Sequence, residues 1–208
     1  MTIVDLLLAA VDTTSHTAAW ALHSLASNRD IQAAIREEIQ LRGEGVVNSD
    51  SVKRLPYLGG FIKEVMRLYP VAPFLTRLAT QNFSLGESQI PAGTILLISL
   101  YVMGRDERIF SQPGSLLPQR WMREGSTESE ADQRRRKAFA NLPFGHGARG
   151  CIGRRIAELE LQLLVGRVCQ RWGLTSNNGR VEYTQRMIGV PDKPISFQLT
   201  SVQPGRIE

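Results

Sequence analysis

The amino-acid sequence predicts a mainly α-helical fold with small β-sheets. Two long stretches, residues 2–27 and 154–172, carry apolar side chains at helical spacing. Between them, residues 82–100 are typical of short strands, because apolar runs are separated by turn signals at Gly86 and Gly93. A chain of 208 residues is long enough to bury one good hydrophobic core.

Composition narrows the class of protein. The chain is 42% hydrophobic and 22% charged, with 25 Lys and Arg against 20 Asp and Glu, which is ordinary for a globular protein. The net charge of +5 fits an acidic partner, but no stretch interleaves aromatic and basic residues as nucleic-acid binding would require. Two cysteines make neither a disulfide framework nor a Cys-rich zinc site, so a Cys in a distinctive setting is better interpreted as a ligand or nucleophile.

The first predicted helix, residues 2–27, contains no proline or glycine. It lacks the basic start of a signal peptide, and its apolar run is too short for a membrane span. It begins abruptly, without an evident cap, and is apolar on several faces, which is typical of a helix inside a core. We therefore expect the chain to be part of a longer protein and, alone, to leave much of this surface in water. The apolar positions are Leu6, Leu7, Leu8, Val11, Trp20, Leu22 and Leu25.

The second predicted helix, residues 28–42, has an apolar and a charged face and ends at glycines. Its apolar positions are Ile31, Ile35 and Ile39, and its charged positions are Arg36, Glu37 and Glu38. A short helix precedes Pro56, and a longer one, residues 56–69, is stopped by Pro70.

The last predicted helix, residues 154–172, has an apolar stripe that we expect to be buried. The stripe is formed by Leu161, Leu164, Val165, Val168 and Trp172. Residues 124–137 are charged and poor in apolar side chains, which favours a mobile surface loop.

The most specific motif is the run of residues 144–153, Phe-Gly-His-Gly-Ala-Arg-Gly-Cys-Ile-Gly. It resembles the haem-binding loop of the cytochrome P450 family at every fixed position of that pattern. Those positions are Phe144, Gly147, Arg149, Cys151 and Gly153. The glycines permit a tight turn close to a flat ligand, and the start of the following helix favours a thiolate.

The resemblance implies that Cys151 is the thiolate ligand of a haem iron. It also implies that Arg149 pairs with a haem propionate and that Phe144 shields the sulfur from water. The alternative is a glycine-rich turn with a structural cysteine. We expect Cys169, on the apolar side of the last helix, to be a core thiol, and His146 to be a hydrogen-bonding or exposed residue rather than a ligand.

Residues 9–14, Ala-Ala-Val-Asp-Thr-Thr, resemble the distal helix pattern of the same family. By this resemblance Asp12 is the acid that relays protons and Thr13 is the alcohol that binds oxygen. A threonine hydroxyl can also bond a backbone carbonyl of the preceding turn. Ala10 stands where the family usually has glycine, and its methyl group narrows the oxygen groove. A solvated helix turn is the alternative.

Glu64 and Arg67 are spaced so that they face each other on one helix. With Arg120, they resemble the Glu-x-x-Arg motif of the family and its arginine-bearing loop. The resemblance implies a buried network that holds the cysteine loop in place, whereas an exposed helix pair is the alternative. Gln119 replaces the usual acid beside Arg120. Arg77 matches a position that often reaches a haem propionate.

The helix after Cys151 resembles that of mitochondrial-type members, which take electrons from a small acidic ferredoxin. Lys63 matches one of two basic positions used there, but Gly59 stands at the other. Lys63, Arg154 and Arg155 are therefore candidates for docking this iron–sulfur partner, and a solvated charged helix face is the alternative. Substrates of this branch are mostly sterols, steroids and secosteroids, and ecdysteroids in some arthropod members.

The resemblance covers residues 2–199 and corresponds to the P450 fold from its distal helix to its end, so residues 1–208 are expected to be a partial P450 domain without its N-terminal half. It implies a haem-thiolate mono-oxygenase, or a fragment of one, that uses O2 and a lipophilic small molecule. It also implies the matrix side of the mitochondrial inner membrane, with membrane association through the missing half. The alternatives are a haem-thiolate isomerase or dehydratase and a non-catalytic fragment.

Overall fold

The computed structural model describes residues 2–42, 45–122, 138–177 and 179–202. Five α-helices lie wholly within them: α1 (Ile3–Ser27), α2 (Arg29–Arg42), α3 (Pro56–Leu68), α4 (Leu100–Met103) and α5 (Arg154–Arg171). Shorter 3₁₀ turns span Ser51–Arg54, Pro118–Trp121 and Gly147–Arg149. The strands are β1 (Phe74–Leu78), β2 (Phe83–Leu85), β3 (Ser88–Ile90), β4 (Ile95–Ser99), β5 (Trp172–Ser176), β6 (Tyr183–Gln185), β7 (Gly189–Pro191) and β8 (Phe197–Ser201).

The predicted class, mainly α with small β-sheets, is confirmed. The strands pair only in antiparallel twos, β1 with β4, β2 with β3, β5 with β8 and β6 with β7, within the described ranges. The sequence predicted the strands of residues 82–100 but not β1, which pairs along its whole length with β4. The predicted loop at 124–137, and the Gly43 that was expected to end α2, lie outside the described residues. In the part of the chain that is described, no helix is long and apolar enough to cross a membrane.

The start of α1 is capped, so the expectation of an uncapped helix was wrong. The Thr2 hydroxyl accepts a hydrogen bond from the Asp5 backbone N–H at 3.3 Å, and Asp5 accepts one from the Thr2 backbone N–H at 2.8 Å. These reciprocal bonds satisfy backbone donors that the first turn of a helix leaves unpaired. They also lower the pKa of Asp5 below its usual value.

The two halves of α1 differ in their surroundings. Its later part packs in the core, where Trp20 and Leu25 are fully buried. Its first turns are apolar and face water, as the sequence led us to expect; the exposed side chains are Ile3, Val4, Leu6, Leu7, Leu8 and Val11. At about 25 cal/mol per Å² of apolar surface, covering even a few hundred Å² of it would contribute several kcal/mol.

The core lies where α1, α2, α3 and α5 meet. The predicted apolar face of α2, Ile31, Ile35 and Ile39, is buried there. Glu38, however, is not on an exposed face as predicted. It is buried, and its carboxylate accepts the backbone N–H groups of Tyr57 and Leu58 at 2.8 and 2.9 Å. A carboxylate at the start of a helix is favoured by the helix dipole, so Glu38 caps α3 from outside that helix.

The buried side of α5 is also rotated from the prediction. Leu161 and Val165 are buried as expected, but Leu164 is 39% exposed. Trp172, which was predicted to end this helix, instead begins β5 and is 38% exposed. The core side instead includes Gly166 and Cys169. The reason is a close approach at Gly166, where an added Cβ would lie only 3.0 Å from a methyl group of Val47.

Gln32 joins two distant parts of the chain. Its side-chain amide N–H donates to the carbonyls of Leu25 and Leu174, each at 2.8 Å. Its carbonyl oxygen accepts the backbone N–H of Leu174 at 2.9 Å. The buried glutamine therefore fixes β5 against the corner between α1 and α2, which the sequence pattern did not reveal.

Candidate functional site

Cys151 lies at the end of a tight loop between residue 144 and the start of α5. Gly145 and Gly147 adopt backbone φ angles of +71° and +76°, which only glycine adopts at little cost. The backbone N–H of Cys151 donates to the Phe144 carbonyl at 2.8 Å, and that of Gly150 donates to the Gly147 carbonyl at 2.9 Å. These bonds close the loop on itself.

The Cys151 side chain is an exposed free thiol just before a helix. Gly153 is the residue that precedes α5, and its carbonyl accepts the backbone N–H groups of Ile156 and Ala157, each at 3.0 Å. A Cβ added at Gly153 would lie 4.0 Å from the Cys151 Sγ. The sulfur is therefore held close to the start of α5, where the helix dipole favours a thiolate.

Strand β1 borders the cysteine loop. A Cβ added at Gly145 would lie 3.8 Å from a terminal methyl group of Leu75. The Arg77 guanidinium donates to the His146 carbonyl at 3.4 Å, so this arginine lies beside the loop. Arg149 is exposed on the loop itself. Two guanidinium groups thus flank the segment that carries Cys151.

Phe144 is half-buried and packs against the core. The Arg154 guanidinium carbon lies 5.5 Å from the centre of its ring. His146 is exposed, and its ring centre lies 5.7 Å from that of Phe139.

Cys169 differs from Cys151 in its exposure to solvent. It is fully buried in the core, as the sequence predicted. Burial raises the pKa of its thiol to about 12, and the nearby Arg36 only partly offsets this effect. A thiol in this setting is inert and fills space.

Asp12 and Thr13 lie on the exposed first half of α1. The Thr13 hydroxyl donates to the Ala9 carbonyl at 2.6 Å, as the Thr17 hydroxyl donates to the Thr13 carbonyl at 2.9 Å. The Asp12 carbonyl accepts from the His16 ring at 2.7 Å. The Thr13 oxygen therefore keeps its lone pairs for a further donor, beside a solvent-exposed carboxylate.

The structure brings Glu64, Arg67 and Arg120 together in one buried cluster. Arg67 donates to both oxygens of Glu64, at 2.9 and 2.7 Å, and neither side chain is exposed to solvent. Arg120 donates to the same carboxylate at 2.9 Å. Two arginines thus share one glutamate.

Two donors to Glu64 were missed by the sequence interpretation. The Trp121 indole N–H reaches one carboxylate oxygen at 2.9 Å, and the Leu117 backbone N–H reaches the other at 3.1 Å. An indole beside Arg120 was the one available signal, because a buried tryptophan N–H needs an acceptor. With five donors, the carboxylate is fully satisfied.

Arg67 also reaches beyond Glu64. Its remaining N–H groups donate to the carbonyls of Gly104, Pro113 and Ser115, at 2.6, 2.6 and 2.9 Å. The buried guanidinium therefore fixes α3 against the irregular segment that follows α4.

The candidate docking residues are exposed. Lys63 on α3 lies with its ammonium 6.0 Å from the Trp121 ring centre, and its carbonyl accepts from Asn141 at 3.4 Å. Arg154 pairs with Glu158 at 3.1 Å, and Arg155 is exposed beside it. Asn141 belongs to the segment that continues into Phe144, so α3 and α5 both border the cysteine loop. At Gly59, an added Cβ would lie 3.6 Å from the Gln162 amide nitrogen.

Comparison with known families decides the identity of the fold. The model of the protein family described as Cytochrome P450 matches residues 1–199 of this chain. The chain belongs to the cytochrome P450 family. Its cysteine loop and its Glu64 cluster are therefore parts of a P450 domain.

Two of three P450 relatives of this chain are mitochondrial enzymes by name. The chain is 39% identical to the mitochondrial sterol 26-hydroxylase of Oryctolagus cuniculus, over 96% of this chain and 38% of that protein. It is 37% identical to cytochrome P450 10 of Lymnaea stagnalis, over 94% and 36%. It is also 37% identical to the mitochondrial 25-hydroxyvitamin D-1 alpha hydroxylase of Homo sapiens, over 94% and 38%. The chain thus spans less than two fifths of the length of these relatives.

The P450 family implies a haem cofactor, and the residues present fit one. Cys151 offers an exposed thiol that is free of any disulfide, on a loop that presents it at a helix start. Arg77 and Arg149 provide positive charge beside that loop, as a group that carries carboxylates would need. Within the described residues, no group of three or more His, Cys, Asp or Glu could hold a metal ion, and a Cys-ligated haem needs only the one thiolate.

Proposed function

We propose that the protein is a haem-thiolate mono-oxygenase. It inserts one oxygen atom of O2 into an apolar, sterol- or steroid-like substrate, with electrons from a small acidic ferredoxin. The observation that carries this proposal is the exposed Cys151 thiol on its closed loop, at the start of α5.

In this proposal Cys151 ligates the haem iron, and Arg77 and Arg149 bind the propionates. Phe144 holds the loop through its carbonyl. We infer that its ring would also shield the sulfur from water. When bound, a Cys-ligated haem supplies the electron density that favours cleavage of the O–O bond.

Asp12 and Thr13 deliver protons. The Thr13 hydroxyl is oriented by its bond to Ala9, so its oxygen can accept a hydrogen bond from a water molecule. The Asp12 carboxylate is exposed and can exchange a proton with solvent. Together they would pass a proton from solvent to the group that the Thr13 hydroxyl binds, as a general acid and a positioned hydroxyl do.

The cluster of Glu64, Arg67 and Arg120 supports the site from behind. Arg67 holds the segment of Gly104 and Ser115, while Glu64 holds Arg120 and Trp121. The cluster thereby positions α3 beside the cysteine loop and touches no reactant itself.

Electrons enter from the side of Lys63, Arg154 and Arg155. These exposed cations border the cysteine loop, and basic groups there steer an acidic partner and set its orientation.

The names of the relatives support a substrate and a location. Sterol and 25-hydroxyvitamin D hydroxylases of mitochondria are similar to this chain. We extend this to a lipophilic sterol, steroid or ecdysteroid substrate, and to the matrix side of the mitochondrial inner membrane.

One observation favours a second candidate, namely that the chain is a non-catalytic polypeptide. The apolar first turns of α1 are exposed in the 208-residue chain, as Val4 and Leu8 show at 62% each. The chain alone then retains haem weakly and turns over no substrate. A haem-thiolate isomerase or dehydratase needs no electron donor. The exposed cations beside the loop, which would bind such a donor, therefore favour the mono-oxygenase over this class.

The test is the absorption spectrum of the reduced, carbon-monoxide-bound protein. We expect a thiolate-type Soret band that Cys151→Ser abolishes and that the matched variant Cys169→Ala retains. Persistence of the band in Cys151→Ser refutes the ligand assignment. If the band is present but no hydroxylated sterol forms with ferredoxin and reductant, the isomerase class is favoured. If the 208-residue chain shows no band at all, the non-catalytic polypeptide is favoured.

A further inference from the structure

The three cations proposed to dock a ferredoxin are not equally available to a partner. Arg154 is held by Glu158, whose carboxylate accepts a hydrogen bond from the Arg154 Nε at 3.1 Å. Among the residues that the structure describes, no ion pair includes Lys63 or Arg155. An acidic partner therefore meets two cations without a carboxylate and one cation that already has a carboxylate bound to it.

Helix stability does not account for the pair of Arg154 and Glu158. Arg154 and Arg155 lie in the first turn of α5, which contains no acidic residue. The positive end of the helix dipole disfavours cations in that turn. Arg154 also precedes Glu158 by four residues, whereas the more stabilising order of such a pair places the acid first. A role outside the helix therefore explains the charge of Arg154 better than a contribution to α5.

The surroundings of Arg154 allow an exchange of partners. Its side chain is 57% exposed, whereas that of Glu158 is 29% exposed. The guanidinium is therefore the member of the pair that a second protein can reach. Its carbon lies 5.5 Å from the centre of the Phe144 ring, so the group is beside the cysteine loop. Glu158 is bonded to Nε, and the two terminal nitrogens can bind an incoming carboxylate.

We propose that Glu158 determines the specificity for the electron donor by holding Arg154 until the carboxylate of a partner displaces it. This inference rests on the ferredoxin partner of the proposed function. Two carboxylates at one guanidinium repel each other, so docking separates Glu158 from Arg154. A strongly acidic partner gains enough from Arg154 to do this, and a weakly acidic one does not. Glu158 thus raises the negative charge that a partner must present, as an opposing element does in other specific interfaces.

The test is the affinity of the purified protein for an acidic iron–sulfur ferredoxin, measured by isothermal titration calorimetry at two ionic strengths. At low salt, Glu158→Gln should tighten binding by about two- to fivefold, which is the range that exposed ion pairs contribute. The gain should largely disappear at about 0.5 M salt, because screening weakens both the pair and the docking. Circular dichroism verifies that the variant keeps its helices.

A double-mutant cycle distinguishes the pair from a general effect of charge. In the Arg154→Gln background, Glu158→Gln should change the affinity by less than about 1.5-fold, because the guanidinium that Glu158 holds is gone. Glu158→Asp keeps the charge but shortens the side chain, so it should loosen the pair and give part of the gain. Glu160→Gln is the matched control and should change the affinity little. Glu160 is exposed on the same helix, but residues two apart do not share a side of it.

The outcomes separate the role of Glu158 from the proposed function. If ferredoxin binds the parent protein and Glu158→Gln equally tightly, the role of Glu158 is overturned and the ferredoxin partner stands. An equal gain with and without the Arg154 guanidinium, or the same gain from Glu160→Gln, also overturns it, because the charge then acts through the general field. If neither protein binds ferredoxin at low salt although both melt cooperatively, the ferredoxin partner and the role of Glu158 fail together.

Discussion

The Glu64 cluster and the Cys151 loop are neighbours in the fold but differ in how their polar groups are satisfied. Glu64 and Arg67 are fully buried, and the donors that bind the Glu64 carboxylate all belong to the chain itself. The Cys151 loop closes its backbone bonds and leaves its thiol exposed. The contrast teaches that rigidity and reactivity are assigned to separate residues here: the cluster needs no ligand, whereas the loop presents a group that remains available for one.

Thiol chemistry should give the largest contrast between exposed and buried sites. In haem-free protein at pH 8, iodoacetamide should label Cys151 and leave Cys169 unmodified. Burial raises the pKa of Cys169 from 9.0 to about 12, which lowers its thiolate fraction about a thousandfold relative to an ordinary thiol. Peptide mass spectrometry measures the two sites separately. In denaturant both should react, and equal labelling of the folded protein would contradict the burial of Cys169.

Removing the charge of Glu64 should be the next largest effect. Glu64→Gln leaves the buried Arg67 without its counter-charge, and breaking a buried pair in this way typically costs about 3–5 kcal/mol of the free energy of unfolding. Urea denaturation measures the loss. The matched control is Glu158→Gln, since Glu158 pairs with Arg154 on the surface, and such pairs contribute about 0–1 kcal/mol. Similar losses in the two variants would mean that the cluster is not structural.

A smaller effect is expected at Thr13, and it should appear in catalysis rather than in stability. Thr13→Ala removes the positioned hydroxyl, so electrons should be diverted to hydrogen peroxide, with about tenfold less product per NADPH consumed in a reconstituted system. Substrate binding should be unchanged. Thr17→Ala is the control, because Thr17 makes the same bond to a preceding carbonyl one turn later. Unaltered coupling in Thr13→Ala counts against a proton-delivery role.

Charge reversal on the exposed side should have the mildest effect. Lys63→Glu, Arg154→Glu and Arg155→Glu should each weaken ferredoxin affinity by about two- to tenfold and flatten its dependence on salt. Arg42→Glu, at the exposed end of α2, is the control and should change neither the affinity nor its dependence on salt. Binding titrations at two ionic strengths measure both quantities. If the three variants bind ferredoxin like the parent protein, the docking surface lies elsewhere.

The sequence was informative wherever a local pattern determines the outcome. The helical spacing of Ile31, Ile35 and Ile39 predicted a buried face, and the i, i+3 spacing of Glu64 and Arg67 predicted that they face each other. The run from 144 to 153 singled out the loop that carries Cys151.

Long-range contacts were beyond such patterns. Glu38 has the spacing of an exposed residue and is buried because the start of α3 lies against it. The rotation of α5 follows from the contact of Gly166 with Val47, which are far apart in the chain. Trp121 and Leu117 complete the Glu64 cluster only after the chain has folded, and apart from the indole beside Arg120 no local signal indicated their role.

The amide of Gln32 has one further consequence, which concerns how the protein avoids self-association. Leu174 in β5 faces Leu199 of β8 on one side, while its N–H and carbonyl on the other side are both bonded by the Gln32 side chain. The glutamine thus substitutes for one residue of a neighbouring strand. An unpaired strand edge is a template for pairing with another chain. A single side chain on α2 removes that template at Leu174, so the helix protects the sheet edge without adding a strand to it.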